Sequence, residues 1–321
     1  MKRIFPIFFI FFISCSILSN DKTKKQANAQ STISDTSYTW TKLLDSADWK
    51  KSYNFQMFSI RDTLWTFHPD GNWFSTDGTD WTKSSLTNSI NNLAFLKYIN
   101  FNNAVYGLGH FEGNIEQFKF KPEIYKTTDF KQWDTISKNS NLPNRFFYQP
   151  FVFDNKIWII GGEDKNTQYS DIWNSADGII WIKQKDNLPF GKRSNSKVVE
   201  FNGALYLLNN DVWTSNDGLK WKLLTKELIE GQEIFGYSAA VLDNKIWLLG
   251  CNRNGQFRSQ VLVSSDGKTW QEQSAPWTPR GGIASTVYKN KIYITGGKYG
   301  GTTNQPEFIY SNDVWALGRQ E

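Results

Sequence analysis

The chain has 321 residues and a formal net charge of +5; 16% of its residues are aromatic, with 15 Trp, 13 Tyr and 24 Phe. Only 39% are hydrophobic and Gly (23) far outnumbers Pro (9), a balance that suits many short strands joined by tight turns and excludes a Pro-rich disordered chain. No run of Lys and Arg is interleaved with aromatics along one element and no glycine-rich phosphate loop occurs, so nucleic acid is excluded as a partner.

In chain order, residues 1–15 come first. Lys2 and Arg3 precede an apolar run from Ile4 to Ile13, then Ser14 and Cys15. The run is too short to span a bilayer as a helix and has the layout of a signal peptide. Ile13-Ser14-Cys15 resembles a bacterial lipobox, with Phe12 where the commonest pattern has Leu. The resemblance implies acylation of Cys15, and Ser16 rather than Asp after it implies an outer membrane or cell surface. Residues 16–36 are polar, lack periodicity and read as a flexible tether. A folded domain is expected over 37–318. Cys251 is the only other cysteine, so no intramolecular disulfide is expected once Cys15 is acylated.

Two patterns then recur in step. The first is a turn followed by an alternating strand: RDTLWTFH (61–68), NNAVYGLGH (102–110), DNKIWIIGG (154–162), NGALYLLNN (202–210), DNKIWLLGC (243–251) and KNKIYITGG (289–297). Apolar alternation after Asp-Asn or Asn-Gly signals a β-hairpin. The second is a further hairpin: WFSTDGTDW (73–81), YKTTDFKQW (125–133), WNSADGIIW (173–181), WTSNDGLKW (213–221) and LVSSDGKTW (262–270). Four strands every 40–50 residues predict an all-β propeller of four-stranded antiparallel blades, each burying its faces against its neighbours. Recurrence at equivalent positions assigns Trp65, Trp81, Trp133, Trp158, Trp181, Trp221, Trp247 and Trp270 to the packing between blades.

The Gly pairs after the second strand (Gly161-Gly162, Gly296-Gly297) and the Trp residues of the third and fourth strands resemble the kelch repeat, of the galactose oxidase central-domain-like superfamily. Three copies depart from the pair, at Asn209-Asn210, Gly250-Cys251 and Phe67-His68. The final repeat stops after a third strand, SNDVWALG (311–318), while SYTWTKLL (37–44) stands unassigned at the other end. Six blades follow, the last closed by the N-terminal strand Tyr38–Leu44.

The loops between second and third strands are long at 110–122, 163–170, 252–259 and 298–310 and very short near 69–72 and 210–211. Variable loops on a rigid scaffold are where binding residues concentrate. Ten residues before the first turn, three repeats place Arg145, Arg193 and Arg280 at one equivalent position, expected near the mouth of the central channel. Guanidinium groups there could hold a carboxylate, or only brace neighbouring loops. The two histidines, His68 and His110, and Cys251 fall in three different repeats, so no metal and no cofactor is expected. No GxSxG occurs, and Glu112, Glu116, Glu163, Asp164, Glu230 and Glu233 offer no assignable acid–base pair. The expectation is a monomeric, lipid-anchored binding module at a bacterial envelope, with a protein or carbohydrate ligand on the long-loop face and no catalytic residue. The alternative that the resemblance implies is a carbohydrate-active enzyme similar to kelch-type sialic acid epimerases.

Overall fold

A two-residue turn whose twist matches the strands it joins needs positive φ at both positions, which Asn, Asp and Gly tolerate best. The computed structural model describes residues 37–85, 96–113 and 117–320. Within them the first turn of every repeat meets that demand. The pairs Arg61–Asp62, Asn102–Asn103, Asp154–Asn155, Asn202–Gly203, Asp243–Asn244 and Lys289–Asn290 all have positive φ, from 44° at Lys289 to 74° at Gly203.

Six four-stranded antiparallel sheets result. Written from the innermost strand outward, blade 1 is Gln56–Ile60, Thr63–His68, Gly71–Ser75 and Thr82–Lys83; blade 2 is Lys97–Phe101, Ala104–Leu108, Ile124–Thr127 and Asp134–Ser137. Blade 3 is Phe151–Phe153, Lys156–Ile160, Ile172–Ser175 and Ile182–Lys185; blade 4 is Lys197–Phe201, Ala204–Leu208, Val212–Ser215 and Lys222–Thr225. Blade 5 is Ser238–Leu242, Lys245–Leu249, Val261–Ser264 and Gln271–Gln273. Blade 6 is Ala284–Tyr288, Lys291–Thr295 and Val314–Arg319, and its outermost strand is Tyr38–Leu44, with Trp40 opposite Leu317 and Lys42 opposite Trp315.

The outer hairpins are stapled by side chains. In blade 1 the Gly78 amide donates to Ser75 Oγ (2.8 Å), the Thr79 and Asp80 amides donate to Asp77 Oδ1 (2.7 and 2.9 Å), and Trp81 Nε1 donates to the Gly78 carbonyl (2.9 Å). Those two amides on Asp77 hold its carboxyl down to about 2. Asp177, Asp217 and Asp266 repeat the arrangement. Blade 2 has Phe130 where the others have Gly, at φ 61°; its ring is buried and lies 4.7 Å from that of Trp65.

Packing explains why the ring closes. The buried apolar residues form six clusters, and each joins two consecutive blades. Trp247 and Leu249 of blade 5 meet Ile292 and Ile294 of blade 6, and Tyr293 of blade 6 meets Met57 and Leu64 of blade 1. Of the eight Trp residues assigned to interblade packing, seven are buried and Trp81 is half-buried. The chain is an all-β, six-bladed propeller.

Three of the four long loops carry strands of their own. His110–Gly113 pairs with Phe118–Lys121, Lys298–Gly300 with Phe308–Tyr310, and Cys251–Arg253 with both Gln256–Arg258 and Ile234–Phe235. Among the described residues no helix is long and apolar enough to cross a membrane. Cys15, Glu116 and the 16–36 segment lie outside the described residues.

Candidate functional site

The three repeat arginines do not converge on one shared site; each closes on an aspartate of its own blade. Arg145 Nη2 donates to Asp171 Oδ2 (3.1 Å), Arg193 Nη2 to Asp211 Oδ2 (3.1 Å) and Arg280 Nη2 to Asp313 Oδ2 (3.0 Å), with each Nη1 on the other carboxylate oxygen. The same Oδ2 accepts an indole N–H from two residues on, from Trp173 (2.8 Å), Trp213 (2.7 Å) and Trp315 (2.8 Å). Arg145 and Arg280 also donate to the carbonyls of Gly161 and Gly296, and Arg193 donates to that of Phe190. Burial alone would push the Asp171 carboxyl up. The hydrogen bonds from Arg145 and Trp173 and the guanidinium charge outweigh it, leaving the pKa below the ordinary value. With both Nη groups of each arginine on its carboxylate, the fork is filled and only Nε–H is left unpaired. The sequence puts the arginines at one equivalent repeat position and misses their partner, although Asp-x-Trp recurs at 171–173, 211–213 and 313–315, in the same three blades.

How deeply each bracket is buried depends on the residues after the second strand. A Cβ at Gly162 would stand 3.2 Å from Arg145 Cδ, and one at Gly297 would stand 2.9 Å from Arg280 Cδ. The Gly pairs therefore let the chain close down over the arginine, and Arg145 and Arg280 are 4% and 1% exposed. Blade 4 has Asn209-Asn210 there instead. Asn209 Nδ2 donates to the Ser194 carbonyl (3.2 Å) and to Ser196 Oγ (3.0 Å), while Asn210 Oδ1 accepts the Ile234 amide (2.8 Å). The second-to-third loop is very short there, and the Arg193 side chain is 12% exposed.

An open polar pocket of about 340 Å³ lies at this notch. Gln168, Lys192, Ser194, Asn210 and Lys226 line it, and the Arg193–Asp211 pair forms part of its wall. Its two lysines come from different interblade connections, 186–196 and 226–237, and the amides and hydroxyl supply both donors and acceptors. Lys192 Nζ donates to Thr167 Oγ1 (3.2 Å), and Gln168 Nε2 donates to Ser194 Oγ (3.2 Å). Polyhydroxylated or anionic groups suit such a lining. Of its residues, only Arg193 stands out in the sequence; the signal for the rest is the missing Gly pair at 209–210.

The same loop face carries exposed apolar groups. Tyr53, Phe235, Phe308 and Ile309 are among the exposed large hydrophobics, and all four precede an innermost strand or lie in a second-to-third loop. Lys298 Nζ sits 4.4 Å from the Tyr53 ring centroid and 4.1 Å from that of Phe308, a cation over aromatic faces.

The other sequence candidates have local roles. Glu112 pairs with Lys121 (2.9 Å), Glu163 accepts from Gln168 (3.1 Å), and Asp164 caps its own loop by accepting the Asn166 and Thr167 amides. His68 is buried against Phe55, its Nδ1 accepts the Asp70 amide, and burial pulls its pKa down to about 4. His110 is buried beside Tyr125, and burial lowers its pKa too. Burial pushes the Cys251 thiol up. Among the described residues no three His, Cys, Asp or Glu gather as a metal site.

Comparison with known proteins agrees on the fold. A family model described as the DUF6242 beta propeller domain matches residues 127–242, less than half of the chain. Spermatocyte protein spe-26 of Caenorhabditis elegans is 22% identical over 196 residues, covering 56% of this chain and 34% of that protein. The chain thus spans about a third of the length of the curated relative it matches. The solved structure titled "Structure of YjhT" superposes with a TM-score of 0.69 at 12% identity, covering 87% of this chain and all of the other. At that identity the likeness is one of fold.

Proposed function

We propose that this propeller is a binding module whose working surface is the long-loop face, centred on the notch in blade 4. One observation carries the reading: where the Gly pair is replaced by Asn209-Asn210 and the loop is short, an open pocket lined by two lysines, amides and a hydroxyl lies beside the Arg193–Asp211 bracket. Exposed aromatics on the same face add stacking surface for a sugar or a peptide. The carboxylates Glu112, Glu163 and Asp164 are held by neighbouring groups, which favours binding over proton transfer. In this reading the repeats are kelch-type and Arg193 alone of the three arginines touches ligand.

A thermal-shift screen of the purified protein against neutral sugars, acidic sugars and peptides tests the pocket. A ligand that raises the melting temperature should lose at least about tenfold in affinity in the Lys192→Ala/Lys226→Ala protein, about 1.4 kcal/mol. Equal affinity in both proteins would move the site elsewhere.

The reading includes a lipid anchor on Cys15 at a bacterial envelope, with an outer-membrane or cell-surface location. Its support is the lipobox-like Ile13-Ser14-Cys15 after a short apolar run. Metabolic labelling with a fatty acid should mark the wild-type protein and not Cys15→Ala; label retained by the variant would refute the anchor.

A further inference from the structure

Five of the six innermost strands, all but that of blade 3, supply one residue each to a tier at their N-terminal ends. Register identifies its members: Gln56 opposite Phe67, Lys97 opposite Leu108, Lys197 opposite Leu208, Ser238 opposite Leu249 and Ala284 opposite Thr295. Side chains at this tier reach toward the next blade's innermost strand. Gln56 Nε2 donates to the Tyr98 carbonyl (3.1 Å) while its Oε1 accepts the Tyr98 amide (2.7 Å), and Ser238 Oγ bonds Ser285 Oγ (2.6 Å). These residues wall the space at the propeller axis.

Two members of that wall are lysines. Lys97 and Lys197 are both only partly exposed, and among the described residues neither makes a hydrogen bond or an ion pair. Burial lowers both to about 8, and the charge of Lys197 adds to the lowering of Lys97. The tier's other members are neutral and polar or small. Residues 86–95, which lead into the Lys97 strand, contain no charged side chain. Two partly buried ammonium groups on one tier of the ring, with no carboxylate among its members, carry a desolvation penalty that a bound anion would relieve.

We propose that the central channel binds a small oxyanion, a carboxylate, sulfate or phosphate group, between Lys97 and Lys197. This site is distinct from the blade 4 pocket and does not depend on it. Two lysines from blades 2 and 4 hold the anion as point charges, and the amide of Gln56 and the hydroxyl of Ser238 line the same tier. The arrangement selects for charge and size, since ammonium groups impose little directional geometry.

The test is thermal unfolding of the full protein in sulfate, phosphate or malonate, with sodium chloride as the ionic-strength control. At least one of the three anions should raise the wild-type melting temperature beyond the chloride control. Lys97→Met and Lys197→Met should each weaken the apparent affinity by at least about tenfold, and the double variant should show no anion-specific shift. Without anion the double variant should melt no lower than wild type, because it loses a repulsive pair; Lys97→Arg, which keeps the charge, should keep the shift even if a Met variant folds poorly. The Lys192→Ala/Lys226→Ala protein should respond like wild type. The proposal is overturned if none of the anions stabilises wild type, if the double Met variant keeps the shift, or if only the Lys192→Ala/Lys226→Ala protein loses it.

Discussion

An arginine, an aspartate and a tryptophan recur as a bracket in blades 3, 4 and 6, yet its burial differs from blade to blade. Removing one partner of a buried ion pair leaves the other charge stranded, which costs about 3–5 kcal/mol, whereas an exposed pair contributes about 1 kcal/mol or less. Arg280 is 1% exposed and carries a carbonyl and both oxygens of Asp313. Arg280→Met should therefore cost about 3 kcal/mol or more in urea unfolding, and Arg193→Met, at the open notch, distinctly less. Equal losses would mean that the Gly pair does not govern the strength of the bracket. Both halves of this device stand in the sequence, as an arginine at a fixed offset and as Asp-x-Trp. They lie 18 to 33 residues apart, and only the fold of the blade brings the two together.

At the level of single elements, local chemistry decided most of what could be read in advance. Twelve turn positions with positive φ are filled mostly by Asn, Asp and Gly, which is why the first hairpins were legible. The hairpins on the loop face were not. Phe118–Lys121 is four residues long, and its partner strand is no longer, so neither presents enough alternation to be distinguished from a loop. Tyr38–Leu44 was legible only by counting, as the strand left over when the last blade lacks one. It lays Tyr38 edge-on against Trp247 (4.8 Å) and Trp40 against Trp277 (5.7 Å), donates from Tyr38 Oη to Asp243 (3.0 Å), and covers the edge of Val314–Arg319. Deleting residues 38–44 should abolish the single cooperative unfolding transition and promote association through the bared edge, as read by calorimetry and light scattering. A monomeric variant that still melts in one sharp transition would show that the ring closes without this strand.

For the whole molecule, the ring fixes what its parts can do. Six interblade clusters hold the scaffold on every side, and the candidate pocket lies on the loop face, at a place where the repeat departs from its own pattern. The architecture was legible because the period holds across six copies; the blade 4 pocket was not, because it arises from residues that are absent. The channel lysines escaped for a related reason: each looks like an ordinary charged residue at a strand end, and only the register of the folded blades puts both on one tier. The clasp between the two ends has a last consequence, one of timing. Ser37 and Gln320 are hydrogen-bonded to each other through backbone and side chain. A chain made from its N-terminus therefore produces the outermost strand of blade 6 first and that strand's partner last. Blades 1 to 5 can assemble as they appear, but the first strand stays unpaired until synthesis reaches Val314–Arg319, and the complete propeller cannot form before then.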